Sequence, residues 1–329
     1  MRCQERPFSL DYGTVVRELQ LPSILVRYDG HKITTRMFPG RLRGLAWDRE
    51  GSSLMLAGNR GRVIKLQDDR KDTTIETRTT ANLRSVSVNP IDNRALVAGN
   101  AGTLIAIKNG TATTLSSSTS ENLRAVRWNA DGSQALIAGN NGTLIKYTEK
   151  GLEVIEGGRA NLRGVSWRRT SQEALVTSNC FAGEFIPSPD LFLFDAEKNT
   201  LTPMSEGRLD LIGVDWKPDG SLAVVVGYDV VWHTGFIGHF EAASLSAVPF
   251  QNAQVYPTAA SWDPTGRTAA IATCITQLHS GEGRIMLWNG DALQEIYRNE
   301  HFFFSAVAWS PVGFKLAAVA STAARTFDS

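Results

Sequence analysis

The feature that most constrains this chain is an internal repeat. Segments that begin at Leu42, Leu83 and Leu123 almost superimpose, and four weaker copies follow as LRGVSW, LIGVDW, TAASW and SAVAW. One position, tryptophan in six copies and valine in one, recurs every 39 to 49 residues: Trp47, Val88, Trp128, Trp167, Trp216, Trp262 and Trp309. We call it the landmark position. A period of this length is typical of the blades of a β-propeller.

Each copy has the pattern of four short strands. In the third copy, LRAVRW alternates apolar and other residues, and SQALIAG, TLIKYT and LEVIEG follow as further strands. The turns NADG and GNNG separate them, and glycine suits such turns because it adopts positive φ without steric cost. No helical period competes with this alternation. The sequence therefore predicts an all-β fold, a seven-bladed β-propeller with four-stranded antiparallel blades.

The two ends of the chain are predicted to share the seventh blade. The last copy supplies only two clear strands, SAVAWS and KLAAVAS, whereas SILVRYDGHKITTRMF from Ser23 matches the third and fourth strands of a blade. Pairing them closes the ring and removes open strand edges, which invite aggregation. We therefore expect residues 1–22 to form an N-terminal extension and residues 23–329 to form the propeller, with residues 23–38 completing the last blade.

Composition argues against several classes of protein. The chain has 34 Lys and Arg against 33 Asp and Glu, a net charge of +1, so a surface devoted to nucleic acid is not expected. Its three cysteines, Cys3, Cys180 and Cys274, are too scattered for a disulfide framework. The amino terminus lacks the apolar core of a signal peptide, and no apolar run approaches 18 residues. We therefore expect a cytoplasmic protein with no membrane segment.

Several motifs resemble known propellers. The turns WNADGS, WKPDGS and WDPTGR and the strand RIMLWNGD resemble the WD-repeat family, although its Gly-His and Trp-Asp pairs are missing and Trp288-Asn289 is the nearest approach to the latter. The arginine-bearing first strand and the GNNGT hairpin of LRAVRWNADGSQALIAGNNGTLIKY are also similar to the photosystem II assembly-factor group of propellers. Both resemblances imply a platform that binds other macromolecules, and neither implies catalysis.

Arginine occupies the same position of the first strand in four consecutive blades. We call this set the arginine arc: Arg43, Arg84, Arg124 and Arg163. The equivalent residues of the other blades are Ile212, Thr258 and Ser305. In a propeller the first strands begin around one mouth of the central channel. Guanidinium groups gathered at this channel mouth would bind a carboxylate or phosphate bidentately. Alternatively, the arginine stems cover the blade core and their heads bond to loop carbonyls. Arg127, in the same strand as Arg124, has the pattern of an ordinary strand-edge residue.

The loops between the second and third strands lie at the same channel mouth as the arginine arc. In blades four to six these loops are longer than the tight GNRG, GNAG and GNNG turns of blades one to three. Their aromatic residues include Phe181, Tyr228 and Trp232, and Tyr256 and the Phe302–Phe304 run lie where the chain enters blades six and seven. Exposed aromatics beside a basic arc are typical of a hot spot for a protein or peptide partner. The alternative is that these side chains pack the loops onto the blades.

Metal and enzyme signatures are weak. The ligand types of a zinc site are present without paired spacing, which makes weak candidates of Cys180, His233, Cys274 and His279. The chain has no GxSxG, HExxH or phosphate-binding glycine loop. We therefore predict no metal or cofactor, and a non-catalytic platform for a protein or peptide carrying an acidic group. The alternative is a hydrolase or lyase, with or without a metal, in the same channel mouth.

Overall fold

The computed structural model describes residues 22–67, 71–179, 188–205, 207–249, 255–277 and 280–322. These residues form 28 strands in seven four-stranded antiparallel sheets, so the predicted seven-bladed propeller is confirmed. Within the same ranges there is no helix, and hence none long and apolar enough to cross a membrane.

The strands follow the repeat. The first two are β1 (Ser23–Tyr28) and β2 (Ile33–Phe38). Blades one to three contain β3 (Leu42–Trp47), β4 (Ser53–Gly58), β5 (Val63–Gln67), β6 (Lys71–Ile75), β7 (Leu83–Val88), β8 (Ala95–Gly99), β9 (Leu104–Lys108), β10 (Thr111–Leu115), β11 (Leu123–Trp128), β12 (Gln134–Gly139), β13 (Thr143–Thr148) and β14 (Gly151–Glu156). Blades four to six contain β15 (Asn161–Trp167), β16 (Glu173–Asn179), β17 (Leu191–Asp195), β18 (Thr200–Pro203), β19 (Leu209–Trp216), β20 (Ala223–Asp229), β21 (Thr234–Glu241), β22 (Ser244–Ala247), β23 (Val255–Trp262), β24 (Ala269–Gln277), β25 (Ser280–Trp288) and β26 (Leu293–Asn299). Blade seven adds β27 (Phe302–Trp309) and β28 (Leu316–Thr322).

The ring closes as predicted, because β1 pairs with β28 in a sheet of order β2-β1-β28-β27. Ser23 lies opposite Ser321, and their hydroxyls are 2.9 Å apart. The Leu42 amide donates to Ser23 Oγ at 2.8 Å, so the closing strands are also tied to blade one. The boundary predicted at residue 22 stays a prediction, since residues 1–21 lie outside the described residues.

The hydrophobic core is divided among the blade interfaces. Among the described residues, each of seven buried apolar clusters joins two neighbouring blades. Landmark tryptophans contribute large apolar surfaces, and three of them, Trp128, Trp167 and Trp216, meet an aromatic ring of their own blade edge to face, with centroids 5.4 Å apart for Trp128 and Tyr147. Because every interface buries apolar surface, each blade depends on its neighbours.

Every blade has a β-bulge near the start of its first strand. In blade one Leu42 pairs with Gly58 and Gly44 pairs with Ala57, which leaves Arg43 without a partner in the register. A bulge redirects the side chain of the extra residue. The bulged residues are Arg43, Arg84, Arg124, Arg163, Ile212, Thr258 and Ser305. The arginine arc therefore occupies one backbone position repeated around the ring.

The other end of the first strands supplies bonds between blades. We call the residues that immediately precede the landmarks the channel ring: Ala46, Ser87, Arg127, Ser166, Asp215, Ser261 and Ala308. Where the ring residue can accept a hydrogen bond, it does so from the landmark amide of the next blade, as Ser87 Oγ does from Trp128 at 3.1 Å. The other such pairs are Ser166 with Trp216, Asp215 with Trp262 and Ser261 with Trp309.

Candidate functional site

The front face is the end of the central channel at which every first strand begins and the second-to-third hairpins gather. Here each arginine of the arc donates from Nε to an asparagine Oδ1 of its own blade, 16 residues further on. The distances are 2.6 Å for Arg43–Asn59, 2.6 Å for Arg84–Asn100, 2.9 Å for Arg124–Asn140 and 2.8 Å for Arg163–Asn179. The Nε of each head is therefore bonded to a side-chain amide oxygen of the same blade.

The asparagine partners were not predicted, although the sequence carries a signal for them. Asparagine stands at the end of the second strand in the four blades that carry an arginine, and in the other blades the corresponding pairs are Ile212 with Tyr228, Thr258 with Cys274 and Ser305 with Ser321. In blade six the hydroxyl of Thr258 bonds instead to the Phe304 carbonyl at 2.9 Å. Arginine and asparagine thus occur together or not at all.

The arginine–asparagine bonds orient the guanidinium groups. A guanidinium is a planar fork, so fixing Nε fixes the direction in which the rest of the group presents its donors. The arginines are partly buried, which further restricts their rotamers. Ordering a long side chain on binding costs about 0.5–1.5 kcal/mol, and a group that is already ordered avoids most of that cost.

Arg163, at the end of the arc, lies in an environment that disfavours positive charge. Burial, and then the charge of neighbouring Arg124, lower the pKa of Arg163 from 12.5 to about 10, while Asp210 opposes the shift. Arg163 therefore stays charged at neutral pH but repels its neighbour. An anion bound between the two guanidinium groups would relieve that repulsion.

The hairpins next to the arc have a fixed backbone. In blade one Arg60 and Gly61 have φ of 59° and 69°, which is the type I′ geometry of two-residue hairpins. A Cβ on Gly61 would overlap the Thr79 carbonyl oxygen of the segment that leads into blade two. Asn82, which opens blade two, accepts a hydrogen bond from the Arg60 amide at 3.2 Å. Each short hairpin is thus held by the chain that enters the next blade.

The loop of blade five differs, because a carboxylate organises it. The buried Asp229 accepts hydrogen bonds from the amides of Val231 at 2.9 Å and Trp232 at 3.0 Å, and its other oxygen lies 3.2 Å from Arg208 Nη2. This turn presents two apolar side chains to solvent, with Val231 56% exposed and Trp232 71% exposed. The loop is ordered by its polar base, and its apolar tip is uncovered among the described residues.

The predicted aromatic patch is formed in part. The ring centroids of Tyr228 and Tyr256 are 4.8 Å apart across the interface of blades five and six, and Tyr228 Oη lies 3.2 Å from His233 Nδ1. Phe302 and Phe304 are core residues, 8% and 1% exposed, because they belong to β27 and pack between blades rather than in an entering loop. The predicted site residue Phe181 lies outside the described residues.

The metal candidates are not gathered within the described part of the chain. No group of three or more His, Cys, Asp or Glu residues there is placed to hold a metal ion. Cys274 is buried, and burial raises the pKa of its thiol to about 12, which disfavours the thiolate that metals bind. His233 is bonded to Tyr228, and the candidates Cys180 and His279 lie outside the described residues.

Comparison with known proteins gives one sequence match. No family model matches the chain. A segment of 142 residues is 27% identical to a subunit of eukaryotic translation initiation factor 3 from Nicotiana tabacum. The match covers 40% of this chain and 18% of that protein, so the chain spans under a fifth of the relative's length.

Similarity to solved structures extends over most of the chain. A chain of Kuenenia stuttgartiensis hydrazine synthase superimposes with a TM-score of 0.68 at 13% identity, over 86% of this chain and 96% of that one. The β-propeller domain of Myceliophteria thermophila Cps50 (Swd1) gives 0.63 at 11% identity, over 86% and 97%. Such low identities establish the fold alone. The resemblance to WD-repeat-like seven-bladed propellers is confirmed at that level.

Proposed function

We propose that this chain is a non-catalytic interaction platform that binds an acidic segment of a protein or peptide at its front face. The observation that carries the proposal is the set of four arginines at one bulge position, each held by an asparagine of its blade. The predicted cytoplasmic location is part of the same proposal.

The arginine arc would recognise carboxylates on the partner. A guanidinium binds a carboxylate through two parallel hydrogen bonds, and such charge-assisted bonds are stronger than neutral ones. Because the asparagines already order the arginine side chains in the free protein, binding of the partner avoids most of the free-energy cost of ordering them. The repulsion between Arg124 and Arg163 favours an anionic occupant over a neutral one.

Trp232 would supply the apolar anchor. Tryptophan is enriched at binding hot spots, and here its side chain is exposed beside Val231 on a loop ordered by Asp229. Tyr228 and Tyr256 extend the aromatic surface across the next blade interface. The preferred ligand is therefore a peptide in which acidic residues adjoin an apolar side chain. The likeness to hydrazine synthase does not favour the enzyme alternative, because at 13% identity it establishes only the fold.

The proposal can be tested with peptides selected on the wild-type protein from a displayed random library. We expect the selected peptides to be rich in Asp and Glu, and calorimetry to show at least about 100-fold weaker binding to the double variant R84A/R124A, since charge-assisted bonds contribute about 1.5–3 kcal/mol each. W232A should weaken binding too. Arg36→Gln, which removes an exposed ion pair with Asp72 on the outer strands, is the matched control. Equal affinity of R84A/R124A and wild type would refute the proposal.

A further inference from the structure

The back face is the end of the channel at which every first strand turns into the second, and it contains a cavity of about 380 Å³. The cavity is lined by residues of all seven blades, including the whole channel ring, and by none of the arginine arc. Its volume is in the range of sites that hold small molecules, about 300–1,000 Å³. It is therefore a separate candidate site at the opposite end of the channel.

Six of the seven channel-ring residues are accounted for by the fold. Four accept the landmark amide of the following blade, and the two alanines leave room for neighbouring strands. At Ala308 a tryptophan indole makes the link instead, since Trp47 Nε1 donates to the Ala308 carbonyl at 3.1 Å. Each link requires only a short side chain or a backbone oxygen.

Arg127 is the exception. Its blade is tied to the next by Trp167 Nε1, which bonds to the Arg127 carbonyl at 3.0 Å and leaves the side chain out of the link. The guanidinium bonds through Nη1 to the carbonyl of Val126 in its own strand and is exposed to the channel. A long cation thus stands where five of the other six residues are alanine or serine, and the blade link does not require its side chain.

The formal charges that line the cavity balance, with Arg49, Arg127 and Arg169 against Asp48, Asp215 and Asp263, but the partners of these groups are unevenly distributed. Among the described residues, neither Arg127 nor the neighbouring Arg169 forms an ion pair, although both lie within the electrostatic influence of Asp215. Asp215 is held by the Ser166 hydroxyl at 3.0 Å and the Trp262 amide at 2.8 Å. Asp48 and Asp263 also line the cavity, but their carboxylates accept hydrogen bonds within their own turns.

Although Arg127 is exposed to the channel, the blades that surround it displace bulk water, and this desolvation lowers its pKa, with Asp215 opposing the shift. Holding such a cation inside the channel therefore costs free energy, and an anion beside it would reduce the cost. Arg49, also on the rim, is paired with Glu50 at 2.9 Å and adds little net charge. Each aspartate that lines the cavity already accepts hydrogen bonds, whereas Arg127 and Arg169 have no ion-pair partner among the described residues.

We propose that the back end of the channel binds a small oxyanion-bearing molecule, a carboxylate or a phosphate, through Arg127 and Arg169. The guanidinium of Arg127 reaches the oxyanion from inside the channel, and Arg169 reaches it from the rim. The small side chains of the channel ring leave the space that the molecule occupies. This site does not depend on the front-face platform.

The experiment uses the full chain without the two central arginines of the arginine arc, because the complete arc would also attract anions. In the R84A/R124A background, citrate and inorganic phosphate are titrated by calorimetry at constant ionic strength, and Arg127→Gln is then added. We expect saturable binding of one of the two probes at one site per chain, weakened at least about tenfold by R127Q. Adding Arg36→Gln instead, as a matched loss of one positive charge, should leave binding unchanged.

Two results would overturn the proposal: no saturable binding of either probe, or equal binding with and without Arg127. Thermal melting of each variant shows whether the fold is retained, and R127Q is expected to fold because Trp167 bonds to the backbone of residue 127. Binding of citrate alone assigns a carboxylate, and binding of phosphate alone assigns a phosphate group. Loss of peptide binding in R84A/R124A tests the front face separately, so either proposal can fail without the other.

Discussion

Blades one to three and blades five to seven share the same backbone geometry at the front face but carry different side chains on it. In both regions the first strand bulges at the same residue, and the facing position lies 16 residues later. The early blades fill this pair with arginine and asparagine, whereas blade five fills it with Ile212 and Tyr228. The repeat therefore fixes where a side chain points, and each blade's own residues decide what it binds.

The loops show the same contrast. The hairpins of blades one to three are tight turns locked by the chain that enters the next blade, whereas the blade-five loop is organised internally by Asp229. A tight hairpin keeps the arc's asparagines in place but presents little side-chain surface. The longer loop can expose Trp232 because its backbone bonds are satisfied by a buried carboxylate. Rigidity is thus achieved by backbone fit in one region and by a polar side chain in the other.

The largest expected effect comes from breaking the fit of a regular hairpin. Gly102 has φ of 66°, and a Cβ there would overlap the Thr119 carbonyl oxygen. Gly102→Ala should therefore destabilise the protein by about 3 kcal/mol or more, from strain together with steric overlap. The free energy of unfolding in urea measures the effect.

Gly110 in the same blade is the matched control. It has φ of 78°, but a Cβ there would meet nothing within 4 Å. Gly110→Ala should cost only the strain of a left-handed alanine, about 1 kcal/mol. If the two variants were equally stable, the overlap with the next blade's entering chain would not be what locks the hairpin.

An intermediate effect is expected from removing the base of the blade-five loop. Asp229→Ala leaves the amides of Val231 and Trp232 without their acceptor, and we expect a loss of about 2 kcal/mol. Faster amide hydrogen exchange at residues 230–233 would show that the loop has loosened. Asn122→Ala, which removes one bond to the Ala101 amide in the regular region, should cost about 1 kcal/mol. Equal exchange rates in Asp229→Ala and wild type would contradict the role given to the carboxylate.

The smallest effect is expected where the two regions meet. Arg163→Gln removes the Nε bond to Asn179 but also a charge disfavoured by burial and by Arg124; we expect the second effect to be larger, so stability at pH 7 should rise slightly, on the order of 0.5 kcal/mol. The folded pKa of about 10 lies below the usual 12.5, so the unfolded chain binds more protons above pH 10 and the wild type gains stability as the pH rises there. The advantage of Arg163→Gln should therefore shrink above pH 10.

Urea unfolding at pH 7, 9 and 10.5 measures this difference. Arg36→Gln, which breaks an exposed ion pair of the outer strands, should give a difference from wild type that does not change over the same range. An advantage of Arg163→Gln that grew with pH would contradict the assigned cause.

Much of the front face was predictable from the repeat. The arginine arc follows from aligning the copies, and the bulge confirms that its members are equivalent. The asparagine partners were predictable in principle, because Asn59 and its counterparts recur with the arginines. Phe302 and Phe304 were placed wrongly as loop aromatics, since the repeat does not mark how far upstream β27 begins.

Arg127 illustrates what the sequence did not reveal. In LRAVRW it has the pattern of an ordinary strand-edge residue, and nothing local distinguishes it from an exposed arginine on any strand. Only the closed ring shows that this side of the strand faces the channel rather than bulk solvent, and that Asp215, two blades away, faces the same cavity. Alternation tells which residues share a face but not what that face meets.

By itself, the sequence determined the number of blades, the strand order and the closure by residues 23–38, because a repeated pattern of apolar residues and glycine turns permits few ways to bury its faces. The tertiary structure decided which side chains meet. The arginine–asparagine bonds, the Asp229 turn and the cavity around Arg127 depend on distances between strands and blades. Those distances are set by packing around the whole ring, which no single repeat encodes.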